Sequence, residues 1–173
     1  SYDIRDQICP FLESPKQRFW EKAEMTKEEK ETLLHQFKDA KHTGGLLLGV
    51  SGANFAEGID FPGDLLQGVV IIGLPLAKPD LKTREIIRYY DTKFAKGWDY
   101  GYTFPALNKC FQSAGRCIRS ETDRGAVIYL DERFAWQTYF NCFPKEGLRV
   151  SKDYKRLLNE FFKNEPKISL KST

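Results

Sequence analysis

The chain has 173 residues, enough for one domain with a core of its own and too few for two large ones. Hydrophobic residues make up 41% and charged residues 29%, a balance that excludes an intrinsically disordered chain and a membrane protein. Twenty-seven Lys and Arg against 24 Asp and Glu leave a net charge of +3, too small to define a nucleic-acid partner by itself.

The opening residues, Ser1-Tyr2-Asp3-Ile4-Arg5-Asp6, are too charged for a signal peptide, and no apolar run reaches the roughly 18 to 20 residues of a membrane span, so no membrane partner is expected. Residues 10–15, bounded by prolines, read as a loop, and Gln17 to Glu21 as a short extended piece. Thr26 followed three residues later by Glu29 is a capping-box signature, and Leu33, Leu34, Phe37 and Ala40 continue it at helical spacing, predicting a helix over 27–41. Leu46 to Val50, Val69 to Leu74 and Ala126 to Leu130 are short, nearly continuous apolar runs, as in strands buried on both faces. Helical patterns occupy 80–95 and 105–119, a short helix is expected at 133–136, and a last one covers 152–163. The domain is assigned to 1–164, with 165–173 a polar tail expected to fray. Alternating helix and strand predicts a three-layer α/β/α fold on a parallel sheet, with ligands at the carboxyl ends of the strands.

Two segments carry candidate chemistry. Gly49 to Gly63 is glycine-rich and follows a strand, which suits close approach of backbone N–H groups to phosphate, although taken alone such loops are more often plain turns. In the second, Gln112, Arg116 and Arg119 fall at i, i+4 and i+7, one amide and two guanidiniums on a single helical stripe. Permanently charged, forked donors match phosphate oxygens. A solvated basic face paired with Glu121 or Asp123 is the competing reading. Cys9, Cys110, Cys117 and Cys142 show no metal-ligand spacing and read as free, mostly buried thiols, and His35 and His42 have no ligand partners nearby in sequence. Asp131-Glu132 after an apolar strand imitates an acidic magnesium motif, but the chain contains no G-x-x-x-x-G-K-[ST] for it to serve.

Together these segments resemble a known family. Ser51 to Phe61, around Glu57-Gly58-Ile59-Asp60-Phe61, is similar to motif V of superfamily 2 helicases, and Gln112-x-x-Gly115-Arg116-x-x-Arg119 is similar to motif VI. The E-G-I-D-F form, Gly73 to Leu76 and Asp131 to Phe134 narrow the resemblance to XPD and DinG-like helicases, and Ser1-Tyr2-Asp3 resembles the end of motif IV. The resemblance runs from Ser1 to about Phe143.

It implies a RecA-like second motor domain of an ATP-dependent helicase moving 5′ to 3′ on single-stranded DNA. It further implies that the P-loop, the magnesium-binding motif and an iron–sulfur cluster of the parent protein belong to the first motor domain and not to this chain, which alone should not hydrolyse ATP. Carried over residue by residue, Arg119 is the arginine finger, with Arg116 and Gln112 beside it; Gly58, Asp60, Glu57 and Gly115 lie near the nucleotide. Ser1, Tyr2, Ser51, Gly52 and Arg133 face DNA, with Phe104 and Lys109 as further candidates. The resemblance also implies a strand ahead of Ser1. Expected partners are single-stranded DNA, the first motor domain and repair-complex proteins. The expected compartment is the cytoplasm of a prokaryote, by analogy an archaeon, or the nucleus of a eukaryote. A noncatalytic interaction module of a DNA repair complex is the alternative, and a Rossmann-type enzyme is disfavoured because no G-x-G-x-x-G opens a βαβ unit.

Overall fold

The computed structural model describes residues 1–53, 55, 61, 65–118, 123–145 and 147–163. Helix α1, Tyr2–Ile8, begins where the Ser1 hydroxyl accepts the Ile4 N–H at 3.3 Å and Asp3 adds negative charge to the first turn. It runs into a 3-10 turn, Cys9–Phe11, with Pro10 at a position that needs no N–H donor. The sequence pattern does not anticipate this helix. The residues from Leu12 to Lys16 do form a connection without helix or strand.

Strand β1, Gln17–Trp20, lies parallel to β2, Gly45–Leu48, with Gln17 opposite Gly45 and Trp20 opposite Leu48. Helix α2, Lys27–Asp39, makes the crossover between them that parallel strands require. Its capping box is complete: Glu29 N–H donates to the Thr26 hydroxyl at 3.2 Å, and Thr26 N–H to the Glu29 carboxylate at 2.7 Å. The helix buries Phe37 edge-on against Phe19 of β1 and against Phe61, with centroids 5.5 and 5.9 Å apart, and Ala40 completes this first core.

The second unit repeats the plan. Strands β3, Gly68–Ile72, and β4, Ala126–Leu130, are parallel and in register from Gly68–Ala126 to Ile72–Leu130. Their connection contains helix α3, Leu81–Phe94, a π-helical turn, Asp99–Thr103, and helix α4, Phe104–Ala114. After β4 come a 3-10 turn, Glu132–Ala135, a short helix α5, Gln137–Phe140, and helix α6, Tyr154–Lys163. Leu107 and Cys110 of α4 pack against Ile71, Phe134, Tyr139 and Phe143, and the Phe143 ring meets Tyr129 at 4.9 Å and Phe111 at 5.2 Å. Burial pushes the Cys110 thiol up to about 11 and the Tyr129 phenol up to about 12.

The expected α/β alternation is present, with its strands hydrogen-bonded as two parallel pairs among the described residues. On β3, Val70 and Ile72 alternate with the residues of the second core and are about half exposed. Helix α4 ends at Ala114, five residues before the expected boundary. Gly115 closes it by donating to Phe111 O, and Arg116 N–H and Cys117 N–H then turn to Ser113 O and Ala114 O, three residues back. The expected tail, 165–173, lies outside the described residues.

Candidate functional site

The segment after β2 turns sharply. Ala53 N–H donates to Val50 O at 3.0 Å, leaving Ser51 and Gly52 as the central residues of the turn, both exposed. Gly52 has φ +80°, the conformation a type II turn demands at its third residue and one a side chain resists. Lys109 of α4 passes over this turn, its Cδ 4.0 Å from the place a Cβ on residue 52 would occupy. The fold therefore brings two expected DNA-facing residues and one further candidate cation together.

Beneath the turn sits a residue that no motif marks. Glu21 follows β1 directly, is 0% exposed, and its Oε2 accepts the Val50 N–H at 2.7 Å. Its one signal in the sequence is an acidic residue directly after the aromatic pair Phe19-Trp20 that ends β1. The same neighbourhood holds Ser1 and Tyr2. Ser1 is spent as the α1 cap. The Tyr2 hydroxyl donates to Lys22 O at 3.4 Å, and its phenol is raised first by burial and then by the Glu21 charge. Arg5 stacks its guanidinium over the Tyr2 and Trp20 rings at 5.0 and 5.5 Å and donates to the Glu21 carbonyl, tying α1 to the end of β1.

Gln112 and Gly115 are exposed at the carboxyl end of α4, and Arg116 is half-buried just past it. Because the helix tightens at Gly115, Arg116 does not continue the straight i, i+4 stripe expected from an unbroken helix. Arg119, Glu57, Gly58 and Asp60 lie outside the described residues. Arg133, in the 3-10 turn after β4, forks onto Asp131: Nε to Oδ1 at 2.8 Å and Nη2 to Oδ2 at 2.5 Å, with the Arg133 backbone N–H also on Oδ1 at 2.9 Å. Those bonds hold the Asp131 carboxyl below the usual carboxylate range and raise the guanidinium further. Two of the donors expected to face DNA, Tyr2 and Arg133, are thus engaged within the chain.

All four cysteines are free thiols. Among the described residues no group of three His, Cys, Asp or Glu converges as a metal site, and no helix is long and apolar enough to cross a membrane.

Comparison with known proteins decides the family. A profile described as the helicase C-terminal domain matches residues 1–147. The chain belongs to this family. Helicase C-terminal domain relatives include a regulator of telomere elongation helicase 1 homolog of Oryza sativa subsp. japonica, 31% identical over 80% of this chain and 15% of that protein. The ATP-dependent DNA helicase chl-1 of Caenorhabditis elegans is 31% identical over 74% of this chain and 15% of its own length. DinG of Photobacterium profundum, an ATP-dependent DNA helicase, is 30% identical over 79% of this chain and 19% of its own. A solved structure of an XPD helicase superimposes with a TM-score of 0.61 at 25% identity, over 82% of this chain and 26% of that one. The domain is of the XPD and DinG type, with the RecA-like α/β fold. It spans under a fifth of the length of these curated relatives.

Proposed function

We propose that this chain is the second motor domain of an ATP-dependent 5′–3′ DNA helicase of the XPD type. The observation that carries the reading is the juxtaposition of the exposed Ser51–Gly52 turn with Lys109 of α4, the helix whose far end presents Gln112, Gly115 and Arg116. One helix thereby joins a phosphate-accessible turn to the arginine-bearing segment.

In this reading Ser51 and Gly52 line a track for single-stranded DNA, joined by what the α1 cap and the Lys22 bond leave over of Ser1 and Tyr2, and the strand is held mainly through phosphates and so without sequence preference. Arg133 offers that strand only the N–H groups that Asp131 leaves over. Arg119, with Arg116 and Gln112, meets the γ-phosphate of ATP, where guanidiniums stabilise the charge that spreads over the transferring phosphoryl oxygens. Gly115, Gly58, Asp60 and Glu57 shape the nucleotide side of the loops. The described residues bring no three His, Cys, Asp or Glu together as a metal site. The first motor domain supplies the P-loop and the metal ligands. Repair-complex proteins are its proposed further partners.

The test is ATP hydrolysis by the full-length helicase, with and without single-stranded DNA, in wild type and Arg119→Ala. DNA-stimulated turnover in the wild type, reduced on the order of 10³-fold in a folded mutant, is the expected result. Unchanged turnover in the mutant moves the finger to Arg116. No turnover in the wild type leaves a noncatalytic module of a repair complex as the better account.

A further inference from the structure

Glu21 stands at a junction. Its amide N–H extends the β1–β2 ladder by donating to Leu48 O at 3.0 Å, its carbonyl accepts from the Arg5 guanidinium of α1, and its Oε2 accepts from Val50 N–H at 2.7 Å. The other carboxylate oxygen, Oε1, is buried and accepts no hydrogen bond of ordinary geometry among the described residues, and the carboxylate acts on the nearby Tyr2 hydroxyl, helping to raise its pKa. The neighbouring backbone is shaped to admit this group: a Cβ on Gly49 would lie 3.0 Å from Oε2, closer than a side-chain carbon normally sits.

A fully buried carboxylate with one oxygen short of an ordinary hydrogen bond costs the fold free energy, and an apolar residue of similar shape would fill the same space at less cost. Packing alone therefore does not account for a glutamate here. What the carboxylate does that leucine cannot is hold the Val50 N–H, the first residue of the turn that presents Ser51 and Gly52, while acting on the Tyr2 hydroxyl of α1. We infer that Glu21 is a positioning residue, fixing the Ser51–Gly52 turn relative to helix α1 so that the two halves of the DNA track keep one spacing. The consequence for DNA rests on the motor reading above; the geometry does not.

The experiment compares wild type, Glu21→Leu and Glu21→Gln in the full-length helicase. Its readouts are amide hydrogen exchange across 49–53, affinity for a fluorescent oligothymidylate and the melting temperature. Leucine removes the acceptor together with the other oxygen. Exchange at 49–53 should rise about tenfold, and oligothymidylate affinity should fall by about the same factor, the scale of one lost hydrogen bond to a charged group. The melting temperature should not fall. Glutamine keeps an acceptor oxygen for Val50 and should stay within about threefold of wild type.

Wild-type exchange and affinity in a folded Glu21→Leu protein overturn the inference, as does a Glu21→Gln protein equally impaired. If the leucine variant does not fold, Gly49→Ala replaces it. Its Cβ presses on Oε2 and must loosen the same bond, and unchanged exchange there is equally fatal. Absence of DNA-stimulated turnover in the wild type would overturn the motor reading instead, and the exchange data would then decide the positioning role alone.

Discussion

Asp131 shows how one side chain can be read for two jobs. After the apolar run of β4, Asp131-Glu132 has the look of an acidic metal motif and Arg133 the look of a free cation. The structure joins Asp131 and Arg133 to each other, with their side chains 13% and 32% exposed. The carboxylate also caps the 3-10 turn that starts at Glu132. Asp131→Asn should therefore lower stability at pH 7 by about 1.5–3 kcal/mol, the range for hydrogen bonds to charged groups. Because Arg133 depresses the folded-state carboxyl below its unfolded value, that contribution is full above the unfolded value, near pH 4. It disappears as the pH falls through the lower folded value. Denaturant titrations of the wild type and the mutant at pH 7 and pH 3 should show the difference between them shrinking at the acid end. A constant difference would mean that the carboxylate charge is not what Arg133 holds.

At the scale of elements, the parts legible in the sequence are those whose signal is local and long enough to repeat. Helix α2 is legible because its cap, its apolar period and its following glycines all agree, and β4 because five apolar residues stand between Gly125 and Asp131. Helix α1 is not, because seven residues are too few to show a period and none of them is buried. The π-helical turn Asp99–Thr103 has no distinct pattern, and the early end of α4 rests on hydrogen bonds three residues back that an apolar count cannot see. In the site, Ser51, Gly52, Gln112 and Arg116 can be named from motif spacing. Glu21 cannot, since its meaning lies in a partner 29 residues away. The α2 cap makes a direct test. Thr26→Ala removes the acceptor for Glu29 N–H and should cost about 0.5–2 kcal/mol, seen as a lower midpoint of thermal unfolding with unchanged ellipticity at low temperature.

For the whole molecule the question is whether two hydrogen-bonded strand pairs, each with its own core, form one cooperative unit. No strand-to-strand bond joins the pairs among the described residues. Side chains and the connection do: Leu65 and Leu66 pack on the first core, while Leu66 O accepts the Cys117 thiol at 3.3 Å, just past α4 of the second. Lys109 lies against the Gly52 turn from the same helix. These contacts predict a single transition. Leu107, 1% exposed in the second core, provides the perturbation: Leu107→Ala should cost about 2–5 kcal/mol by lost burial and the cavity left behind. The reporter should sit in the other unit. In a Trp98→Phe/Trp136→Phe background, Trp20 at the end of β1 is the remaining tryptophan, so its fluorescence follows the first unit while far-UV ellipticity follows all the helices. One cooperative domain requires that both signals shift to lower guanidinium concentration together in Leu107→Ala. If ellipticity is lost first and the Trp20 signal keeps its wild-type midpoint, the two units unfold independently, and the contacts at Cys117 and Lys109 are too weak to couple the turn bearing Ser51 and Gly52 to the helix bearing Gln112.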